Sequence, residues 1–204
     1  MIRNLLIPVL AATLMAQSPT NAPAPVALKL GDPMPGFILP NTEGQMVNAK
    51  IIQGPILVVF LSTQCPDVRA VEDRINALTK TFAGSVAVLG INSNDSGGPG
   101  HQDESLEGMK LRMKEKKYIF RHLYLKDENQ DVARAFGAVC TPDFFLFSRD
   151  KLVYHGRLDD NASKTEAVTR HELYEAIRIM ERGEPPIPNQ VPAQGCPIKW
   201  KTQK

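Results

Sequence analysis

The sequence is poor in cysteine, in net charge and in long apolar runs, and each shortage excludes a class of protein. Three cysteines among 204 residues are too few for a scaffold built from disulfides, and an odd number allows at most one internal bridge. Lys and Arg number 24 against 22 Asp and Glu, so the net charge is +2. The chain therefore lacks the excess of positive charge that is typical of nucleic-acid-binding proteins. What remains is an ordinary globular composition, 43% hydrophobic, with enough length for one domain plus appendages.

The N-terminal region has the composition of a targeting segment. Arg3 precedes an almost wholly apolar run at 5–16, and a short positive region before such a run is typical of a secretory signal. The run is too short for a helix that crosses roughly 30 Å of hydrocarbon. We therefore predict a signal peptide over 1–16, a linker over 17–27 and an exported protein, periplasmic or secreted, with no stable transmembrane helix after cleavage. An uncleaved N-terminal anchor is the alternative, because Leu14 is larger than the residue usually found near a cleavage site.

The C-terminal region, residues 184–204, has the composition of a Pro-rich tail. Four prolines between 183 and 192 exclude a helix or a central strand there. Cys196 and Trp200 indicate that the tail docks back on the domain, and a flexible end is the alternative. The expected folded domain therefore spans residues 28–183.

Between these ends, strand and helix patterns alternate. Residues 56–61 form a continuous apolar run typical of a strand buried on both faces, and apolar residues then recur every three or four positions from Val68 to Phe82. Strand, helix and strand without a hairpin between them predict a parallel βαβ unit. The predicted fold class is α/β, with a mixed central sheet, helices on both faces and an N-terminal β-hairpin. Strands are predicted at 37–39, 45–47, 56–61, 85–91, 118–125, 144–147 and 152–154, and helices at 66–82, 105–117, 130–136 and 166–182.

Cys65 is the most informative candidate for chemistry. It lies between the buried strand and the amphipathic helix, and Pro66 suits the first position of that helix. A cysteine at a helix N-terminus meets free N–H groups and the positive end of the helix dipole, which favour the thiolate. The thiolate is the nucleophile in thiol–disulfide exchange and in peroxide reduction. The alternative interpretation is a buried structural cysteine.

Several segments together resemble a known family: CPDVRAVEDRINAL, GINSND, YLKDENQDVARAFGAVCTPDFFLF, YHGRLDD and GCPIKW, at 65–78, 90–95, 124–147, 154–160 and 195–200. They resemble the thioredoxin fold and, within it, the redoxin family, which is the alkyl hydroperoxide reductase and thiol-specific antioxidant group. The most similar branch is the peroxiredoxin-like subfamily. The resemblance implies a thiol oxidoreductase with a thioredoxin-like fold and a cis peptide bond at Pro142 beside Cys65. It also implies that Thr141 and Pro142 shape the site.

The sequence departs from this pattern at several positions. Ser62 stands where a CxxC motif has its first cysteine, so Cys65 has no vicinal partner. Ser62-x-x-Cys65 does match the Ser/Thr-x-x-Cys of peroxiredoxins, whose hydroxyl helps to position the peroxide. Val58 replaces the proline of that motif, and the activating arginine is absent from its expected position, with Arg157 and Arg69 as possible substitutes.

A resolving cysteine must come from elsewhere in the chain. Cys140 precedes Pro142 by two residues, so the implied fold holds it near Cys65, and we favour it slightly. Cys196 is the other candidate if the tail folds back. Either bridge needs a Cα separation below about 7 Å.

The predicted activity is a cycle in which Cys65 is oxidised by a peroxide or a disulfide, resolved by a second cysteine and reduced by a partner thiol. We expect Ser62 to hydrogen-bond near the sulfur. No cofactor, metal ion or nucleic acid is expected. The alternative function is a non-catalytic redoxin module that binds a partner or copper, since thiolate and imidazole are ligands for copper. The histidines available for it show no ligand spacing and are His101, His122, His155 and His171.

Overall fold

The computed structural model describes residues 26–202. The predicted signal peptide and most of the linker lie outside the described residues. The helices are α1 (Pro66–Thr81), α2 (Leu106–Lys116), α3 (Asp131–Phe136) and α4 (Glu172–Glu181). The strands are β1 (Ile38–Pro40), β2 (Met46–Asn48), β3 (Ile56–Phe60), β4 (Ala87–Asn92), β5 (Tyr124–Lys126), β6 (Cys140–Thr141), β7 (Asp143–Ser148), β8 (Lys151–Gly156) and β9 (Cys196–Pro197).

A mixed five-stranded sheet in the order β5-β4-β3-β7-β8 forms the centre of the fold. Strand β3 is fully buried and pairs parallel with β4 and antiparallel with β7. The β3-α1-β4 unit therefore has the predicted parallel topology. Because side chains alternate along a strand, Leu57 and Val59 face one core cluster while Val58 and Phe60 face the other.

Helices cover both faces of this sheet, as the α/β pattern predicts. On one face, α1 contributes a stripe of apolar residues that packs with buried residues of α2 and α4. On the other face, α3 and the β1–β2 hairpin cover the sheet. The ring of Phe136 contacts Phe60 and Phe145 edge-on, with centroid distances of 5.5 and 5.3 Å. The α1 stripe consists of Val68, Val71, Ile75 and Leu78.

Two predicted elements are shorter than their patterns indicated. The predicted strand at 118–125 begins only at Tyr124, because Tyr118 and Phe120 stack on each other and contact Tyr124 edge-on in an aromatic cluster. The predicted helix at 166–182 begins only at Glu172. Asp160 holds the preceding segment as a loop by accepting a hydrogen bond from the backbone N–H of Thr169 at 2.8 Å. Among the described residues, no helix combines the length and apolarity needed to cross a membrane.

The C-terminal tail docks on the domain rather than forming a free end. Its strand β9 pairs antiparallel with β6, with Thr141 opposite Cys196. The next residue, Ile198, donates its backbone N–H to the carbonyl of Val139 at 2.9 Å and buries its side chain in the core. The tail therefore lies along β6 and the residue that precedes it.

Candidate active site

Cys65 lies at the junction between β3 and α1. It is the residue immediately before the helix, with extended backbone angles, and Pro66 is the first helical residue. Its side chain is nearly inaccessible, since the residue is 4% exposed. The hydroxyl oxygen of Ser62 accepts the backbone N–H of Cys65 at 3.0 Å and that of Gln64 at 3.2 Å. Ser62 thus holds the turn that delivers Cys65 to the helix, and it bonds to the backbone of Cys65 rather than to the sulfur.

Cys65 forms a disulfide with Cys196 of the tail. The Cα atoms are 6.0 Å apart, within the usual range for a bridge, although 131 residues separate the cysteines in sequence. The Thr141–Pro142 peptide bond is cis, which confirms the expectation from the family resemblance. The Thr141 carbonyl oxygen lies 3.1 Å from Cys65 Sγ. Asp67 Oδ2 lies 3.6 Å from Cys196 Sγ.

Cys140, the slightly favoured resolving candidate, has no disulfide partner in this structure and is buried. Burial, with the negative charges of Asp143 and Asp67, raises the pKa of its thiol to about 12. Such a thiol carries very little thiolate at neutral pH, so Cys140 is a poor nucleophile. The docked tail brings Cys196 to Cys65, whereas Cys140, which precedes the cis-proline by two residues, stays unpaired.

Glu104 is the buried group at this site that the sequence analysis missed. Its carboxylate accepts hydrogen bonds from the Ser62 hydroxyl at 2.5 Å, the Thr63 backbone N–H at 3.1 Å, and the side-chain amides of Asn92 and Asn94 at 2.6 and 3.2 Å. Burial alone raises the pKa of Glu104, but these hydrogen bonds outweigh it and hold the pKa below its ordinary value. A carboxylate therefore sits beneath the loop that carries Cys65. No local pattern marks Glu104, since its partners come from other elements.

The loop after β4 anchors the tail. Asn94 Oδ1 accepts the backbone N–H of Lys199 at 2.9 Å, and the carbonyl of Lys199 accepts the backbone N–H of Asp95 at 2.8 Å. The side-chain amide of Gln130 donates to the same carbonyl at 2.8 Å and to the carbonyl of Ser93 at 2.7 Å. These bonds fix the main chain that follows Cys196. Asn94 belongs to the segment at 90–95 that resembles the redoxin family.

Both arginines considered as substitutes for the peroxiredoxin arginine have other partners. Arg69 donates its Nε–H to the backbone carbonyl of Thr63 at 2.9 Å. Arg157 forms an ion pair with Glu172. The hydroxyl of Ser62 also has its proton directed to Glu104, so it is not free to donate to a peroxide.

Cys65, Asp67 and Cys196 form one group of possible metal ligands among the described residues, with all ligand atoms within 4.8 Å of one another. The group contains no histidine, and its two sulfur atoms are bonded to each other. His155 instead contacts the buried carboxylate of Asp143 at 3.0 Å. The imidazole ligands considered for copper are therefore not part of this group.

A mixed sheet flanked by helices, with a cysteine at the start of the first helix and a cis-proline beside it, defines a thioredoxin-fold protein. The sequence from residue 30 to residue 155 matches the AhpC/TSA family, and the chain belongs to this family. No curated protein matches the chain. The finer placement in the peroxiredoxin-like subfamily stays a prediction.

Several solved structures share this fold. A hypothetical protein from Sinorhizobium meliloti is 36% identical, with a TM-score of 0.80, over 87% of this chain and 98% of that one. An uncharacterized conserved protein from Geobacillus kaustophilus is 34% identical, with a TM-score of 0.79, over 86% and 94%. The thioredoxin domain of a thiol-disulfide oxidoreductase from Bacteroides vulgatus is 17% identical, with a TM-score of 0.58, over 76% and 99%. This last likeness supports the thioredoxin-like fold.

Proposed function

We propose that the protein is an exported thiol–disulfide oxidoreductase whose redox-active pair is Cys65 and Cys196. The observation that carries the proposal is the disulfide that joins these residues at the N-terminus of α1. A helix N-terminus favours the thiolate, which is the reactive form in exchange. Membership of the AhpC/TSA family supports a redox function of this kind.

In the proposed cycle, the dithiol of the reduced protein passes two electrons to a partner disulfide. The Cys65 thiolate attacks one partner sulfur, forms a mixed disulfide and expels the other partner sulfur as a thiolate. The Cys196 thiolate then attacks Cys65 Sγ, forms the Cys65–Cys196 bridge and expels the second partner thiolate. The two protons lost by the protein's thiols end on the two partner thiols. A reducing dithiol partner restores the protein by the reverse exchange.

The neighbouring residues have positioning roles in this cycle. Ser62 fixes the backbone of Cys65, and the carbonyl of Thr141 accepts the Cys65 S–H in the reduced protein, since it lies 3.1 Å from the sulfur. Pro142 follows that carbonyl and shapes the wall of the site. Cys140 takes no part, because its thiol has a raised pKa.

Disulfide exchange is favoured over peroxide reduction as the main activity. Peroxide reduction in this family relies on a hydroxyl and an arginine that hold the peroxide against the cysteine. Here the Ser62 proton is directed to Glu104, and Arg69 and Arg157 bond elsewhere. We therefore expect slow peroxide reduction and faster exchange with disulfides.

Export rests on the apolar run at 5–16 and agrees with the proposed chemistry. Disulfides form and persist in oxidising compartments such as the periplasm or the exterior of the cell. A reducing partner must then be present in the same compartment. Detection of the chain in the periplasmic or secreted fraction, starting after residue 16, tests this part of the proposal.

The decisive experiment is peptide mapping after differential alkylation. The wild type and the variants Cys65→Ser, Cys196→Ser and Cys140→Ala are reduced and then exposed to oxidised glutathione or to one equivalent of hydrogen peroxide. We expect the wild type and Cys140→Ala to form the Cys65–Cys196 bridge with either oxidant. With oxidised glutathione, Cys196→Ser should stop at a mixed disulfide between Cys65 and glutathione, and with hydrogen peroxide it should stop at Cys65 sulfenic acid. Cys65→Ser should form none of these products. A bridge that dithiothreitol cannot open in the native protein, or an unreactive Cys65, would make the disulfide structural and refute the proposal.

A further inference from the structure

The tail lies on the domain as an extended peptide lies on a binding site. Strand β9 adds to the two-residue strand β6, and Ile198 donates its backbone N–H to Val139 beyond the strand. Lys199 is held through both its N–H and its carbonyl. Main-chain hydrogen bonds of this kind give affinity for any extended chain, while pockets for side chains give specificity.

The position before Cys196 accepts only glycine. A Cβ atom on Gly195 would lie 2.1 Å from the carbonyl oxygen of Thr141 and 3.0 Å from the nitrogen of Pro142. Both neighbours are backbone atoms on the cis-proline loop, which cannot move aside as a flexible side chain does. The close approach of the tail to this loop, and with it the approach of Cys196 to Cys65, requires the absence of a side chain at residue 195.

The second position after Cys196 accepts an apolar side chain. Ile198 is only 3% exposed and belongs to the core cluster that includes Phe136 and Ala138. Two positions further on, Trp200 packs against the same cluster, and the guanidinium of Arg134 lies 4.4 Å from its ring centroid. The side chain of Pro197, between Cys196 and Ile198, is exposed. We call the surface that holds the tail, formed by Val139, β6 and the core cluster around Phe136, the groove. It selects glycine at the position before the cysteine and an apolar side chain two positions after it.

The tail is held to the domain by hydrogen bonds upstream of Cys196, so its end can detach from the groove while Cys196 stays nearby. Gln190 accepts the backbone N–H of His155 at 2.7 Å, and the Val191 carbonyl accepts that of Arg157 at 3.2 Å. The five Cα-to-Cα steps from Val191 to Cys196 span at most roughly 18 Å when extended. After reduction, Cys196 thus stays close to Cys65 at a high effective concentration.

We infer that this groove is the binding site for the partner polypeptide and that the tail occupies it as an internal substitute. The partner binds as an extended segment with glycine before its reactive cysteine and an apolar residue two positions after it. This inference rests on the proposed function and names its substrate class. The partner segment displaces the reduced tail and forms the mixed disulfide with Cys65. The returning tail brings Cys196 to Cys65 Sγ, and the partner leaves both the sulfur and the groove.

The test uses the full-length Cys196→Ser variant and peptides that match residues 194–200 of the tail, each supplied as a mixed disulfide with glutathione. The rate of Cys65–peptide disulfide formation is followed by mass spectrometry. Peptides with Gly195→Ala or Ile198→Ser should react more slowly than the tail sequence, by about tenfold or more, because each loses its fit to the groove. The matched control is Pro197→Ala, whose exposed side chain should change the rate by less than about threefold.

The reaction of Cys65 with glutathione disulfide alone distinguishes failure of this inference from failure of the proposed function. If Cys65 reacts with glutathione disulfide but with all peptides at one rate, the groove has no selectivity and the inference is overturned. If Cys65 reacts with neither, the proposed function fails as well. A wild-type dimer bridged between Cys65 of one copy and Cys196 of another, as the main product of oxidation, would identify a second copy as the occupant and overturn the assignment to a partner.

A second variant tests the competition directly. Ile198→Ser introduced into the Cys196→Ser chain weakens the tail's own place in the groove. The unmodified tail peptide should then react faster with Cys65 than it does in Cys196→Ser alone. An unchanged rate would show that the tail and the peptide do not share a site.

Discussion

The hydroxyl of Ser62 donates a hydrogen bond to Glu104 Oε1 over 2.5 Å, across 42 positions of sequence. The same hydroxyl oxygen accepts the backbone N–H of Cys65, so Glu104 holds the cysteine's turn through one intermediary. Glu104 also accepts from Asn94, whose other side-chain atom binds the tail at Lys199. One buried carboxylate thus connects the turn that carries Cys65 with the loop that holds the tail bearing Cys196.

Replacement of this carboxylate by an amide should destabilise the fold. Glu104→Gln removes the charge and places an amide donor against groups that are themselves donors. We expect a loss of about 2–3 kcal/mol in the free energy of unfolding, measured by urea denaturation at pH 7. Glu107→Gln, at an exposed position of α2, is the matched control and should cost less than about 0.5 kcal/mol.

The pH dependence of this loss follows from the direction of the pKa shift. The pKa of Glu104 is lower in the folded protein than in the unfolded chain. The ionised carboxylate of Glu104 therefore contributes fully to the free energy of unfolding above the unfolded pKa of about 4.3. This contribution disappears as the pH falls through the pKa of the folded state. The stability difference between wild type and Glu104→Gln should shrink in acid. A difference that stays constant down to pH 3 would contradict an ionised Glu104.

Cys140 should resist alkylation in the native protein. Its buried thiol has a pKa of about 12, so the thiolate fraction at pH 8 is very small. After reduction, when the disulfide no longer holds the tail against Cys65, iodoacetamide should modify Cys65 and Cys196 first, and Cys140 only after denaturation, as measured by mass spectrometry of the peptides. Labelling of native Cys140 as fast as Cys65 would return it to the list of resolving cysteines.

The disulfide should stabilise the protein strongly, because it closes a long loop. With a sequence separation of 131 between its cysteines, the disulfide contributes about 3–5 kcal/mol through chain entropy. Urea denaturation of the wild type with and without dithiothreitol measures this difference. The Cys196→Ser variant should already have the lower stability, and dithiothreitol should leave it unchanged. A reductant effect in that variant would point to a different bridge.

Local patterns predict much of the fold because they report local physics. The apolar run of β3 and the three-to-four spacing of α1 each describe burial of one element, and both elements form where expected. The turn between them carries Cys65, so the start of the site was predictable too. The strand predicted at 118–125 begins only at Tyr124, because alternating aromatic residues also suit a packed turn, as Tyr118 and Phe120 show.

The remaining parts of the site depend on contacts that no local pattern records. The pairing of Cys65 with Cys196 requires the tail to follow one path. That path depends on single hydrogen bonds at Lys199, whose backbone N–H donates to Asn94 and whose carbonyl accepts from Gln130. Glu104 likewise takes its place through partners that lie far from it in sequence. Polar residues that bind a distant backbone leave no periodicity, so sequence alone kept both Cys140 and Cys196 as candidates.

The single tryptophan, Trp200, makes detachment of the tail visible by fluorescence. In the oxidised protein the disulfide holds the tail, so Ile198→Ser should leave the emission close to that of the wild type. After reduction, the tail of this variant keeps only its hydrogen bonds and the contacts of Trp200. Loss of a buried isoleucine costs about 2–5 kcal/mol, enough to release so short a segment. Trp200 emission in reduced Ile198→Ser should therefore shift to longer wavelength, whereas reduced Pro197→Ala, changed at an exposed position, should emit like the reduced wild type. If reduced Ile198→Ser emits like its oxidised form, the tail stays docked without the disulfide and without Ile198, and the side-chain pocket has no role in holding it.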